Sequence, residues 1–511
     1  MDIRQQGHAV DARATGAQRA GAREWIALAV LMLPVLLVAV DNTVLGFALP
    51  QIALDLEPDT AQQLWIVDAY SLVLAGLLVA MGALGDRFGR RRLLLIGATG
   101  FAIVSVLAAF APTAEALIAA RVGLGFFGAT LMPSTLSLLR TTFPHRGERR
   151  LAIAIWATAF SVGSALGPVV GGLLLERFAW GSVFLIAVPV LVPLLVLAPF
   201  LVRESRDPAP GPIDPIGIVL SIAALGALAA AIKYVAVDGL DLAALGLAAL
   251  AIGAGWAFVR RMRRAPSPML DIGLLRIPAF SGAIAVNLLS VVALVGAIFF
   301  LTQHLQLVEG LSTLDAALLL VPGTVLMVVA GLGVVRLVRH MPAHRIVALG
   351  LASSTAGYLG VALAGAGLSP LHVAIAYALL GAGVGAAETL SNEIVVSTAP
   401  EAKVGAASAV SETAYELGAV LGTAVLGGIV SAVYRASLVV PAGLSPSEAD
   451  AARETLAGAL DVAERTGGGT GDALAAAARA AFETGATGTA LAGAALVAAA
   501  IIVALTTLRR A

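Results

Sequence analysis

The chain has no cysteine, only two lysines, and just 13% charged residues among 511. Without thiols it can form no disulfide, thiolate nucleophile, iron–sulfur cluster or cysteine zinc site. Its six histidines are scattered without metal-ligand spacing, so neither a metal nor an organic cofactor is expected. Neither Lys233 nor Lys403 stands in a G-x-x-x-x-G-K-[ST] loop, so an ATP-driven pump would need a separate ATPase subunit. The net charge is zero, from 32 basic and 32 acidic residues, which argues against a nucleic-acid partner.

Apolar side chains are abundant instead. Hydrophobic residues make up 59% of the chain, and the 55 glycines lie outside that figure. Soluble domains run at about 45–50% with glycine counted. Too little polar surface remains to cover a water-soluble protein of this length, so the composition describes a multi-pass membrane protein. Four arginines precede Trp25, and no small-residue cleavage site follows, so the first apolar run reads as an uncleaved span.

A membrane-crossing helix needs about 20 mostly apolar residues. By that rule fourteen spans are expected, at roughly 25–48, 62–84, 93–111, 115–139, 150–175, 181–202, 215–237, 241–260, 279–303, 312–335, 345–365, 370–395, 405–433 and 486–507. Helices are the expected element because no alternating barrel pattern is present. The even-numbered connections and both termini hold 25 of the 32 basic residues, which predicts cytoplasmic termini. The connection over residues 435–485 falls outside, with four arginines against seven acids. Pro446-Ser447-Glu448 opens an alanine-rich helical stretch that Gly467–Gly469 breaks, and a second helical stretch comes after it; this reads as an outer helical hairpin, a solvated spacer in preference to an attractor of cations through its net charge of −3.

Two distant segments share a pattern. Phe160 is followed by Gly163, Gly167, Gly171 and Gly172, and Tyr415 by Gly418, Gly422, Gly427 and Gly428. The fifth and thirteenth spans therefore read as equivalents in two six-helix bundles, over 25–202 and 279–507, with two inserted helices at 215–260 and a cytoplasmic tail at 1–24. Repeated halves with a site between them suit a secondary transporter. In this register Ala157 and Ser161 correspond to Glu412 and Glu416. The sister copy shows that a packing helix does not require those carboxylates.

The ionisable residues deep within spans are Asp41, Asp68, Arg121, Glu388, Glu412 and Glu416, whereas Asp315 and Glu393 lie nearer span ends, where snorkelling suffices. Burial raises a carboxyl pKa, so such groups can exchange a proton for another cation. One acid could simply neutralise Arg121, but one arginine cannot pair five acids. The surplus points to a cationic substrate, protons, or both. Trp65, Tyr70, Trp156, Phe160 and Tyr415 could add cation–π contacts or merely pack. Gly123-x-Gly125-x-x-Gly128 matches a dinucleotide fingerprint by letter, yet it lies inside an apolar span with no preceding strand and reads as a close-packing surface. An ion gradient remains as the energy source.

The segment Gly82-Ala-Leu-Gly-Asp86-Arg87-Phe-Gly89-Arg90-Arg91 resembles the signature loop of the major facilitator superfamily, implying a cytoplasmic charge latch. Arg121 with Gly125 and Gly128 resembles its fourth-span proton-transfer motif. Gly163, Gly167, Pro168, Gly171 and Gly172 resemble the fifth-span motif of its antiporters. With Asp41-Asn-Thr-Val-Leu-Gly, Trp65-Ile-Val-Asp68 and Ser411-Glu412-Thr-Ala-Tyr415-Glu416, the chain is similar to the fourteen-helix drug:proton antiporters that export quaternary ammonium compounds (QacA-like). That resemblance implies an all-α integral membrane protein, not an enzyme, of the bacterial inner membrane. It further implies export of lipophilic cations in exchange for protons, with Asp41, Asp68, Glu412 and Glu416 as the matching acids; Arg121, Glu388 and Tyr415, read from their positions within spans, join them as candidate substrate- and proton-binding residues of a chain expected to be monomeric. The second-half counterpart of the latch, Gly331 to Arg345, keeps basic residues but has no Asp-Arg-x-Gly core. An exporter of one native solute (a lipid, siderophore or amino acid) on the same scaffold is the alternative; a membrane enzyme or receptor is a remote one.

Overall fold

Backbone groups in hydrocarbon must find partners within their own segment, and the chain complies. A computed structural model describes residues 19–56, 58, 60–206, 214–238, 241–265, 272–400 and 403–510, and these form helices and connections with no strand among them. In chain order the helices are α1 (Ala22–Leu56), α2 (Thr60–Phe88), α3 (Arg90–Ala109), α4 (Ala114–Thr142), α5 (Arg146–Leu175) and α6 (Ser182–Leu201). Next come α7 (Pro215–Asp238), α8 (Leu242–Arg264), α9 (Pro278–Val308), α10 (Thr313–Leu337), α11 (Ala343–Ala364), α12 (Pro370–Thr398) and α13 (Val404–Ser437). Two short helices, α14 (Pro446–Glu454) and α15 (Leu456–Thr466), precede α16 (Gly468–Thr507).

Among the described residues, eleven helices are long and apolar enough to cross a membrane, or twelve if the two bent parts of α2 form one span. Neither α5 nor α7 adds to that count, although both are helical at the expected positions, so fourteen crossings remain an expectation. The apolar residues on these surfaces, such as Phe110, Phe200, Leu242 and Leu363, suit contact with lipid.

Contacts divide the chain into two compact units, one within residues 1–284 and 389–416, the other within 285–388 and 417–511. In the first, α1 packs on α5 and α6, α2 on α4 and α7, and α3 on α4 and α6, while α7 pairs with α8. In the second, α16 packs on α11, on the last turns of α13 and on α15. The predicted hairpin differs in detail. Its first helical stretch breaks at Thr455, whose side chain caps α15 by accepting from the Gly458 amide. Its second stretch is continuous with the last span, because α16 begins at Gly468 rather than near 486. Alanine-rich sequence sustains a helix without an apolar stripe, so hydropathy alone marked only the later part.

Candidate functional site

Three helices of the first unit converge on one buried ion pair. Asp41 of α1 and Arg121 of α4 are 6% and 2% exposed, with Nη1 to Oδ2 at 3.0 Å. The guanidinium also donates from Nε to the Ile66 carbonyl of α2 at 3.0 Å, and its carbon lies 4.6 Å from the Tyr70 ring centre. Arg121 therefore has a carboxylate, a carbonyl and an aromatic face around it, each offsetting part of the cost of burying its charge. The buried Tyr70 hydroxyl has no hydrogen-bond partner among the described residues.

Small residues produce this convergence. A Cβ at Gly125 would sit 2.6 Å from the Tyr70 carbonyl oxygen, and one at Gly128 would sit 3.2 Å from the Tyr70 hydroxyl. The glycines one and two turns beyond Arg121 thus admit α2 to α4 and bring Tyr70 under the guanidinium. On the other flank, a Cβ at Gly163 would lie 2.7 Å from the Ala39 Cβ, and one at Gly167 would collide with the Thr43 hydroxyl. These two glycines seat α5 on the stretch of α1 that carries Asp41. Gly171 is buried, whereas a Cβ at Gly172 would meet nothing within 4 Å, so close packing does not explain the latter. The Pro168 side chain lies outside the described residues.

The structure brings further predicted residues into the same unit. The Tyr415 ring meets the Phe160 ring edge-on, with centroids 4.9 Å apart, joining the two repeat positions directly. Glu416 and Asp41 both interact electrostatically with Tyr70. Glu412 is 5% exposed. The side chain of Asp68 lies outside the described residues. Glu388, in the second unit, is 5% exposed and has no ion-pair or hydrogen-bond partner among the described residues. Asp315 is exposed in the first turn of α10, and its amide donates to the capping Ser312 hydroxyl.

Asp86 of the signature loop meets the start of a helix. Asp86, at the end of α2, accepts from the amides of Gly405 and Ala406 in the first turn of α13, both at 3.0 Å. Arg90 grips the same carboxylate at 2.8 Å and donates to the Ser205 hydroxyl at 2.6 Å. Helix N-terminal amides are unpaired donors with a partial positive charge, so a carboxylate is the fitting cap. Gly82 permits the approach, since a Cβ there would lie 2.6 Å from the Gly405 carbonyl oxygen. Gly89 has φ +106°, and a Cβ would press on the Glu204 carboxylate, which accepts from the Arg91 amide at 3.0 Å. Arg87 is half-buried, with its guanidinium 5.8 Å from the Phe88 ring centre.

Two supporting contacts had no distinct signal in the sequence. Arg140 donates to the carbonyls of Val396 and Ala399 at the end of α12. Glu393 is not snorkelling: it is 3% exposed, with Arg150 at 3.5 Å and Arg149 at 4.0 Å. The arginines at 140–150 were legible only as a topology signal, and an acid near a span end resembles any interfacial one. Asp86 at the start of α13 and Arg140 at the end of α12 each complement the macrodipole end they meet.

Comparisons with known proteins give the family of the chain. Residues 31–423 match the model of the Major Facilitator Superfamily. The chain is 56% identical over 467 residues to the multidrug efflux pump LfrA of Mycolicibacterium smegmatis, covering 91% of this chain and 93% of that protein. It is 34% identical to the methyl viologen resistance protein SmvA of Salmonella typhimurium, covering 90% and 93%. It is also 34% identical to the tetracenomycin C resistance and export protein of Streptomyces glaucescens, covering 80% and 76%. Among solved structures, the human organic anion transporter MFSD10 aligns with a TM-score of 0.59 at 16% identity, over 93% of this chain and 99% of that one, a likeness of fold. Signature loop, buried pair, glycine seats and family match converge: the chain belongs to the major facilitator superfamily, as a multi-pass membrane transporter and not an enzyme.

Proposed function

We propose that the chain is a proton-coupled drug exporter that expels lipophilic cations, including quaternary ammonium antiseptics and cationic dyes, across the bacterial inner membrane. The observation that carries this reading is the excess, among the described residues, of buried carboxylates over buried guanidiniums. Arg121 holds Asp41, while Glu388 and Glu412, each 5% exposed, lie in other apolar helices. Negative charge in hydrocarbon is costly and is retained where it binds something. Protons and greasy cations are the two ligands that can compete for it. A relative named for resistance to methyl viologen, a quaternary pyridinium dication, agrees in substrate chemistry.

In this reading both termini face the cytoplasm, fourteen helices cross the membrane, and the monomer alternates between inward and outward access. The inserted pair α7–α8 joins two six-helix bundles over 25–202 and 279–507. The Asp86 contacts close the cytoplasmic side and open when substrate enters. Asp41 and Glu416 exchange protons beside Tyr70, and Asp68 and Glu412 extend the route. Tetracenomycin C export by a 34% identical relative favours the second reading, a single natural product as cargo.

The test is proton release on adding ethidium to the purified protein in weakly buffered solution, repeated for Asp41→Asn, Asp68→Asn, Glu388→Gln, Glu412→Gln and Glu416→Gln. Release from the wild type, reduced unequally among the variants, is expected. Undiminished release from every variant would sink the carboxylate mechanism. Ethidium export without any proton movement would sink the coupling.

A further inference from the structure

The second-half counterpart of the latch keeps its cations and has lost its carboxylate. In the first half, Arg90 pairs with Asp86, and Arg91 lies 3.9 Å from Glu204. In the second, Arg336, Arg339, His340, His344 and Arg345 succeed one another at the junction of α10 and α11, and residues 316–387 contain no Asp or Glu. None of these five groups has an ion-pair or side-chain hydrogen-bond partner among the described residues. Arg336, Arg339, His340 and Arg345 are exposed.

Beside this basic cluster lies a groove of about 540 Å³ between α10, α11 and α12. Its floor is apolar, with Gly333, Leu337, Leu349 and Ala386 along it, and the Arg336 guanidinium and the His340 imidazole are its hydrogen-bonding side chains toward an anion. The volume falls within the range of about 300–1,000 Å³ that small-molecule sites occupy. A Cβ at Gly333 would meet nothing within 4 Å, so no neighbouring helix fills the space.

We propose that this groove is a binding site for one diacyl phospholipid with an anionic headgroup, whose acyl chain lies along Gly333, Leu337 and Leu349 and whose phosphate meets Arg336 and His340. Charge complementarity selects this occupant. An apolar trough alone would accept any lipid, but a cluster of three arginines with no protein carboxylate in its stretch of chain attracts an anion from outside, and basic pockets between membrane helices bind anionic headgroups. The occupant supplies the counter-charge that Asp86 supplies in the first half. Only the assignment to the cytoplasmic leaflet rests on the orientation proposed above; headgroup selectivity does not.

Native mass spectrometry of the detergent-purified full chain, titrated with phosphatidylglycerol or phosphatidylcholine, tests the site without depending on transport. The wild type should retain phosphatidylglycerol roughly tenfold better, since each basic residue near a membrane surface contributes a severalfold preference. Arg336→Gln with His340→Gln should reduce that preference to about twofold or less, with neutral-lipid retention unchanged. Gly333→Phe, whose ring would project into open space, should reduce retention of both lipids. Equal retention of the two lipids by the wild type overturns the proposal before any variant is made. Unchanged selectivity in correctly folded variants, judged by circular dichroism, overturns it too. Displacement of the phospholipid by excess inorganic phosphate would replace it with a free-anion site.

Discussion

The helix pairs α1–α5 and α9–α13 share one packing solution and differ in where they carry charge. Gly163 and Gly167 seat α5 on Leu36, Ala39, Val40 and Thr43 of α1, and Gly418 and Gly422 seat α13 on Leu288, Val291, Val292 and Val295 of α9. Aligning these seats puts Ala293 where α1 has Asp41. In the other direction, Ala157 and Ser161 of α5 stand where α13 has Glu412 and Glu416. At these aligned positions each pair therefore carries its acid on one helix only, and on opposite members. The glycines follow from the architecture because both copies need them; the carboxylates do not, because each position has an uncharged sister that packs equally well. Charge has been added to a scaffold that is complete without it.

The strongest way to break this comparison is to orphan the buried acid. Arg121→Leu leaves Asp41 without its guanidinium in an apolar site, and removing one member of a buried pair costs about 3–5 kcal/mol. A marked fall in thermal unfolding temperature in detergent is expected. Adding Asp41→Leu should restore most of the stability, since Ala293 shows that the equivalent position tolerates an apolar residue. Transport should stay lost. Recovery of ethidium efflux in that double variant would show the pair to be structural after all.

Moving the charge is the next test. Asp41→Asn should lower ethidium-dependent proton release by at least tenfold, the change in occupancy that about 1.4 kcal/mol of lost attraction produces. Glu416→Gln should lower it less, because Asp41, Arg121 and Tyr70 stay in place. Asp41→Ala combined with Ala293→Asp should not recover release, because a carboxylate on α9 lacks the Arg121–Ile66–Tyr70 surroundings. Recovery in a release assay would mean that the acid matters and its helix does not.

Gly163→Ala and Gly418→Ala probe the shared part. Each added methyl would press on the facing backbone, within 2.8 Å of the Leu36 oxygen or 3.0 Å of the Leu288 oxygen. Overpacking of this kind costs about 1–3 kcal/mol. Similar losses of thermal stability from the two variants are expected, and a large loss from only one would deny that the seats are equivalent.

This pattern explains what could be read from the sequence. Asp41 and Arg121 stood out because ionised groups in apolar runs are rare, and the glycine repeat stood out because it occurs twice. The Ile66 carbonyl had no signal, since every residue has one and only folding decides which is left for a side chain. Tyr70 was one of several aromatics in spans, and its position under Arg121 depends on the width of Gly125 and Gly128 in another helix. Glu393 and Arg140 lay at span ends, where exposure to headgroups explains a charge as well as burial does. The start of α16 was hidden because residues 472–485 are helix-forming without being strongly apolar.

The smallest effect concerns the connection that leaves each repeat. After α5 the chain reaches α6 within a short turn, whereas after α13 it builds α14 and α15 before α16. The start of α14 is a capping box: the Ser445 hydroxyl accepts from the Glu448 amide, and the Glu448 carboxylate accepts from the Ser445 amide at 2.8 Å and from its hydroxyl at 2.6 Å. The Ser445 hydroxyl and amide bonds hold the Glu448 carboxyl below its ordinary range. A depressed acid contributes its stabilisation above the unfolded pKa, near 4.3 for Glu, and loses it as pH falls through the folded value. Ser445→Ala should therefore speed hydrogen exchange of the first-turn amides of α14 at neutral pH. Relative to wild type at the same pH, the difference should shrink as pH falls through the depressed folded value of Glu448, below which the carboxyl is protonated in both proteins. Exchange in α16 and ethidium efflux should not change, as expected of a solvated spacer. A loss of efflux would instead assign the hairpin a part in transport that the first half of the molecule performs without one.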